Sequence, residues 1–382
     1  MKLLRRIRDL PMVVLRDLPD YRRALAKSGT AYQNHPDGWI SVCNRIESLV
    51  PANDGPGVRC DWIWGSALHA AEVMPWLGRE IFRVAESEWP IRFASQPREC
   101  HETPKVTFIF AHGGNERLPQ LRRTLQSIHA QEGVACECIV VDQSPIPAVA
   151  RLPGPVTYRH LSKDGVAKGW HKAWAYNVGA RLARGSILIF HDGDICVPAR
   201  YATEVVRAID GRGYGAASLQ RFLFYLSAAD TEQVYRDMAL SGAAIPSSVF
   251  QNWKGGTIAI ERNAFFRIGG FDEGFVDWGG EDDEFYDRCA EVGHCRAGYL
   301  PFVHLWHPPQ ALRHASDNIN TGRVLPARLA TSRVDRVAEL ARRAWGNPRM
   351  PDPAASYASI LASETKEDLF MLPAADLMES HD

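Results

Sequence analysis

Val106 to Phe110 reads as a continuous run, apolar but for Thr107, the pattern of a strand covered on both faces. A helix is predicted next, because Leu118, Leu121, Leu125 and Ile128 are spaced by three, four and three and so share one face. Cys138 to Val141 predicts a second strand and Val156 to His160 a third. Ala173, Trp174, Val178 and Leu182 line a second helix that ends at Gly185, and Ser186 to Phe190 returns to the buried-strand pattern. Strands and helices alternating through short connections predict an α/β protein with a doubly wound, mainly parallel, Rossmann-like sheet. Ligands of such sheets bind beyond the carboxyl ends of the strands.

Beyond Cys196 the pattern loosens. Ser227 to Lys254 is rich in small and polar residues and reads as a mobile loop. A short strand is predicted at Thr257 to Ile260, a helix from near Gly280 to about Val292, and a last strand at Tyr299 to Val303. Residues 329–345 read as one amphipathic helix, followed by an acidic, peripheral tail. The chain is therefore divided into an N-terminal extension (1–103) without a recognisable motif, a main domain (104–315) with halves at 104–198 and 255–315, and a C-terminal helical tail (316–382).

Composition narrows the function classes. The 382 residues carry 44 Lys and Arg against 45 Asp and Glu, a net charge of -1. That balance excludes a dedicated nucleic-acid binder, which carries a basic excess. No apolar run reaches the ~20 residues that cross a bilayer. Met1 to Arg8 is basic, but Asp9, Arg16 and Asp17 interrupt the apolar stretch after it, so a secretory signal is not expected. Leu3, Leu4 and Ile7 beside the arginines leave two readings for residues 1–16: a solvated amphipathic helix, or a peripheral contact at the inner face of a membrane. The 8 cysteines include no CxxC pair, which points to reduced thiols in a cytoplasmic protein and away from a cysteine zinc site.

Three clusters carry chemistry. Asp192-Gly193-Asp194 comes just after the strand ending at Phe190, and two carboxylates on such a turn suit magnesium or manganese. Taken alone this is also an ordinary surface turn. The second cluster is Trp278-Gly279-Gly280-Glu281-Asp282-Asp283-Glu284. The helix dipole explains acids at a helix start, but not the tryptophan and glycines before them. A tryptophan offers a flat face to a sugar ring, glycines let backbone approach a ligand, and one acid can take a proton from a hydroxyl. The third cluster is His304-Leu305-Trp306-His307, just after the last predicted strand, which would return to the sheet edge that carries Asp192 and Asp194. A neutral imidazole is a manganese ligand.

Together these clusters resemble the GT-A glycosyltransferases, and more specifically the family-two group that shares its C-terminal part with the β-1,4-galactosyltransferases and bacterial chondroitin polymerases. The resemblance spans about Lys105 to Arg313. Its most specific piece runs from Gly255 to Arg288, GGTIAIERNAFFRIGGFDEGFVDWGGEDDEFYDR. It implies a GT-A fold, with the nucleotide-sugar half at 104–198 and the acceptor and catalytic half at 255–315. It also implies that Asp192 and Asp194 hold Mn2+ or Mg2+ on the donor diphosphate. His307 completes the metal site, with His304 as second choice. Asp282 is the implied base, while Trp278, Gly279, Gly280, Glu281 and Asp283 hold the acceptor. Asp142 is implied to contact the nucleotide, although Gln143 stands where the family usually has a second acid. His112-Gly113-Gly114-Asn115 also departs from the family's usual first loop. Arg313 is assigned to the diphosphate, with a solvated surface arginine as the alternative reading.

The reaction implied is a single, inverting displacement from a nucleotide sugar, with UDP-sugars favoured, to a glycan hydroxyl. It would belong to cell-surface polysaccharide or glycoconjugate synthesis. The rival readings are a sugar nucleotidyltransferase, for which only His112 to Arg117 offers a phosphate loop, and a non-catalytic sugar or nucleotide-sugar binding protein. The latter would keep Trp278 without needing Asp192, Asp194 or Asp282.

Overall fold

The computed structural model describes residues 2–27, 37–60, 65–94, 103–147, 151–161, 169–240, 244–251, 254, 256–308 and 318–352. Fourteen strands are found among them. The first three are β1 (Leu49–Pro51), β2 (Val58–Cys60) and β3 (Ser66–Ala67). The main domain supplies β4 (Val106–His112), β5 (Cys136–Asp142), β6 (Thr157–His160), β7 (Ile187–His191) and β8 (Ile195–Cys196). Next come β9 (Ala216–Ala217), β10 (Gln220–Tyr225), β11 (Ser248–Gln251), β12 (Thr257–Glu261), β13 (His294–Cys295) and β14 (Leu300–His304).

Seven strands form one sheet in the order β13-β9-β12-β7-β4-β5-β6. Its β7-β4-β5-β6 portion is parallel, as the alternating pattern predicts, and β12 joins it antiparallel to β7. Phe108, Ile109, Phe110, Ile187, Leu188 and Ile189 are fully buried, because both faces of these strands are covered. The helices Leu118–His129 and Lys172–Leu182 supply that cover, with Leu121, Leu125 and Ile128 in one apolar cluster and Trp174 and Val178 in the other. The chain is thus a mixed α/β protein built on a mainly parallel sheet.

A second sheet, in the order β3-β11-β10-β14-β8, was not foreseen in the sequence. It corrects two expectations. Ser227 to Lys254 is not simply a loop, since it contains the helix Ala228–Asp237 and β11. The side chain of Ser227 caps that helix by accepting from the Asp230 N–H. The last strand, β14, reaches Asp194 as expected, but it does so in the second sheet, antiparallel to β8 and parallel to β10. The two sheets are joined where the chain passes from β7 directly into β8.

The N-terminal segment contributes to this architecture. β3 pairs with β11, and Val13, Tyr21, Ile81 and Phe82 belong to the same apolar cluster as Phe108 and Phe302. The helix read over 329–345 is two shorter ones, Leu325–Ala330 and Arg333–Leu340. The helix after Gly280 spans Glu281–Arg288 and tightens into a 3-10 turn through Val292.

Candidate active site

Asp192 and Asp194 sit on the turn between β7 and β8. The Asp192 N–H donates to the Gly256 carbonyl at 2.7 Å, which anchors the turn to the chain entering β12. β8 lies antiparallel to β14 with Ile195 opposite His304, and the Leu305 N–H donates to the Asp194 carbonyl at 2.8 Å. This pairing brings the histidines to Asp194. Nε2 of His304 is 3.8 Å from one Asp194 oxygen, and Nε2 of His307 is 3.2 Å from the other. One ligand atom from each of Asp194, His304 and His307 lies within 4.8 Å of the other two. The His304 ring stacks on Tyr225, its neighbour across β10, at 4.3 Å between centroids. Burial raises the Asp194 pKa, but His304, His307 and Arg117 outweigh it and hold the carboxyl well below its usual range. A carboxylate and two imidazoles are a donor set that fits manganese. Where the sequence offered His307 first and His304 second, the geometry gathers both.

Asp192 lies outside that triad. Its Oδ1 accepts a hydrogen bond from the Tyr176 hydroxyl and is 3.1 Å from the Lys172 ammonium. Lys172 also approaches Glu281 at 3.4 Å and Asp282 at 3.3 Å. One cation thus faces three carboxylates, leaving an excess of negative charge that a further cation would offset. Burial opposes the charge on Lys172, but Asp192, Asp282 and Glu281 raise its pKa well above the ordinary value.

The acidic helix owes its entry to backbone that few residues adopt. Gly279 and Gly280 have φ of +99° and +89°, and a Cβ on Gly280 would lie 2.7 Å from the Phe275 ring. Asp277 before them is also left-handed, at φ +67°. It is held by its N–H donating to the Trp170 carbonyl at 2.7 Å, while its carboxylate accepts from the Trp170 N–H at 2.9 Å. The four acids then fan out with helical periodicity. Glu281 and Asp282 turn to Lys172, Asp283 pairs with Lys254, and Glu284 points inward to Arg288 and Arg336. Burial lifts the Asp282 pKa to about 7, Lys172 opposes that shift, and Glu281 and Asp192 add to it. Trp278 is half-buried, with its carbonyl accepting from the Asn318 side chain at 3.0 Å.

These groups share one cleft of about 520 Å³, whose lining includes Asp192, Asp194, His304, His307, Trp278 and Asp282. Gly279, Gly280, Glu281 and Asp283 line it as well. Asp142 does not. It is fully buried at the end of β5, and its oxygens accept from the Ser144 N–H at 2.7 Å and the Tyr158 hydroxyl at 2.5 Å. Arg313 lies outside the described residues. The sequence reading missed Lys172, Arg117 and Tyr176. Lys172 had a legible signal: a lysine opening a helix is disfavoured by the dipole there and needs a partner elsewhere.

A family model described as the N-terminal domain of galactosyltransferase matches residues 243–302. That span contains Trp278 to Asp283 and ends before His304, and it is well under half of the chain. No curated protein matches the chain. Among solved structures, the catalytic domain of Drosophila β1,4-galactosyltransferase 7 in complex with xylobiose is 17% identical at a TM-score of 0.31. The match covers 50% of this chain and 65% of that one, so this chain spans just under two thirds of that domain. A mannosyltransferase from Pyrobaculum calidifontis, PcManGT, in complex with GDP-Man and Mn2+, is 18% identical at a TM-score of 0.38. That match covers 77% of this chain and 79% of the other.

Proposed function

We propose that this chain is a GT-A glycosyltransferase that moves a hexosyl or N-acetylhexosaminyl group from a nucleotide sugar to a glycan hydroxyl, with inversion, in polysaccharide or glycoconjugate synthesis. The observation that carries the reading is geometric: Asp282, opening the acidic helix, lines the same cleft as the Asp194-His304-His307 set. The resemblance of residues 255–288 and the galactosyltransferase match over 243–302 support it.

In this reading Asp194, His304 and His307 hold a divalent cation, Mn2+ or Mg2+, with Asp192 beside them. The bound ion would supply Lewis-acid stabilisation of the charge that develops on the leaving diphosphate. The remaining work falls to the chain. Trp278 presents a face to the acceptor sugar, and Asp283 accepts from its hydroxyls. The acceptor oxygen attacks the anomeric carbon as the bond from that carbon to the diphosphate oxygen breaks. Its proton passes to Asp282, whose pKa near 7 suits a base working at neutral pH. Lys172 positions Asp282 and Asp192 relative to each other. One displacement inverts the anomeric centre.

The test is a panel of UDP-, GDP- and dTDP-sugars with glycan acceptors, assayed with and without Mn2+. Anomeric configuration is read by NMR of the product. Sugar transfer with inversion is the expected result. Binding without transfer or donor hydrolysis on every donor would favour the non-catalytic rival, and a retained anomeric configuration would remove Asp282 from the role of base.

A further inference from the structure

The helix Lys2–Met12 continues through a wider turn, Val13–Asp17, into Leu18–Ala26. One face of this rod is spent on the protein. Val13, Asp17, Tyr21 and Ala24, spaced by four, four and three, are buried, and Val13 and Tyr21 join the main apolar cluster. A different face remains open. Leu4, Ile7, Pro11 and Leu15 recur at three, four and four, the spacing of one helical stripe, and all four are exposed. Leu4 is 73% exposed, Ile7 60% and Leu15 71%, with Val14 beside them at 41%. A single exposed leucine is ordinary. A continuous row of them on one helix marks a surface that meets something apolar.

The charges along the same helix define the partner. Residues 2–23 contain seven basic side chains (one Lys and six Arg) against three acidic ones, in a chain whose net charge is -1. Of the three acids, Asp17 is buried and paired with Arg45, while Asp9 and Asp20 are matched by Arg8 and Arg23. Arg6, Arg16 and Arg22 stand exposed. An apolar stripe bordered by arginines is the layout of a helix that lies in the plane of a membrane surface, apolar side down, with its guanidinium groups among anionic headgroups.

We infer that residues 2–23 dock this protein on the surface of an anionic lipid bilayer. The inference does not depend on the reaction assigned to the cleft, since none of these residues lines it.

The test is co-sedimentation of the full chain with vesicles of phosphatidylcholine alone and of phosphatidylcholine mixed with phosphatidylserine. The variants are Leu4→Glu/Ile7→Glu/Leu15→Glu and, separately, Arg6→Glu/Arg16→Glu/Arg22→Glu. Circular dichroism and the thermal transition check that each still folds. We expect binding to the phosphatidylserine vesicles, weaker binding to phosphatidylcholine, and weakening with salt. Each variant should lower the partition coefficient on the order of tenfold or more. Sedimentation velocity without lipid checks whether the stripe joins two copies instead. No binding to anionic vesicles overturns the inference. So does binding that both folded variants retain, or a dimer that the leucine variant dissolves while vesicles bind nothing.

Discussion

The Lys172 ammonium lies 3.3 Å from the Asp282 carboxylate, and the same ammonium reaches Asp192 at 3.1 Å. A single side chain therefore ties the acidic helix of the second half to the turn after β7 in the first.

Lys172→Met removes a cation that favours ionised Asp282. Burial, Glu281 and Asp192 then act on that carboxyl unopposed, so its pKa rises above about 7. Asp282 must be deprotonated to take a proton, so transfer falls as pH drops through its pKa. The acidic limb of the kcat/KM profile, which reports the free protein, is expected near pH 7 in the unmodified protein and at higher pH in the variant. A limb that stays in place would separate Lys172 from the base.

Asp282→Asn preserves shape and removes the proton acceptor. Transfer is expected to fall by ~10²–10⁴, while nucleotide-sugar affinity measured by calorimetry stays close to that of the unmodified protein. Asp283→Asn, which loosens the pair with Lys254, should retain measurable transfer. Activity in the first variant and none in the second would reassign the base to Asp283.

Asp194→Asn, His304→Ala and His307→Ala should each weaken Mn2+ binding on the order of tenfold or more, because each removes one donor from a set of three. Asp192→Asn should cost less, since its carboxylate is turned to Lys172 and Tyr176. Manganese titration followed by electron paramagnetic resonance reads all four. Equal losses for Asp192→Asn and Asp194→Asn would place both carboxylates on the ion.

Glu284 is fully buried between Arg288 and Arg336, which are buried with it. Glu284→Gln takes the counter-charge from buried Arg288 and leaves Arg336 only its pair with Asp287, and it is expected to destabilise the fold by about 2–5 kcal/mol. Thermal or denaturant unfolding measures this directly. A change below about 1 kcal/mol would mean that the carbonyls of Ile268 and Gly270, which accept from Arg288, and the Asp287 pair of Arg336 suffice to hold the cluster.

The most legible strands in the sequence are those buried on both faces. Ile187 to Phe190 announces itself because nothing polar interrupts it, and Val106 to Phe110 because only Thr107 does. The second sheet was not legible, for two physical reasons. Its strand β10 pairs with β14, so far away in sequence that no local pattern reports the contact. It also carries Arg221, which reads as a solvent-facing residue and is 1% exposed. A second non-local pairing, of β14 with β8, decided what could be said of the histidines, since it is what brings His304 and His307 to Asp194. Which acid after Gly280 faces which partner was equally beyond reach. Helical phasing separates the four, but only the positions of Lys172, Lys254 and Arg336 assign them. Asp142 reads as a nucleotide contact at its strand end; that it is fully buried and accepts from the tyrosine of the adjacent β6 is again a non-local fact.

Arg221 also limits how the chain can be cut. Its guanidinium donates to the carbonyls of Ile40 and Val42, both far outside the segment that holds every proposed ligand. A fragment trimmed to residues 104–315 would keep Asp194, His304 and His307 and yet strand a buried cation in the strand next to β14, without those acceptors. The ligands are not portable with the stretch of sequence that encodes them. Grafts, truncations and chimaeras designed around the signature segment must carry the distant N-terminal carbonyls too.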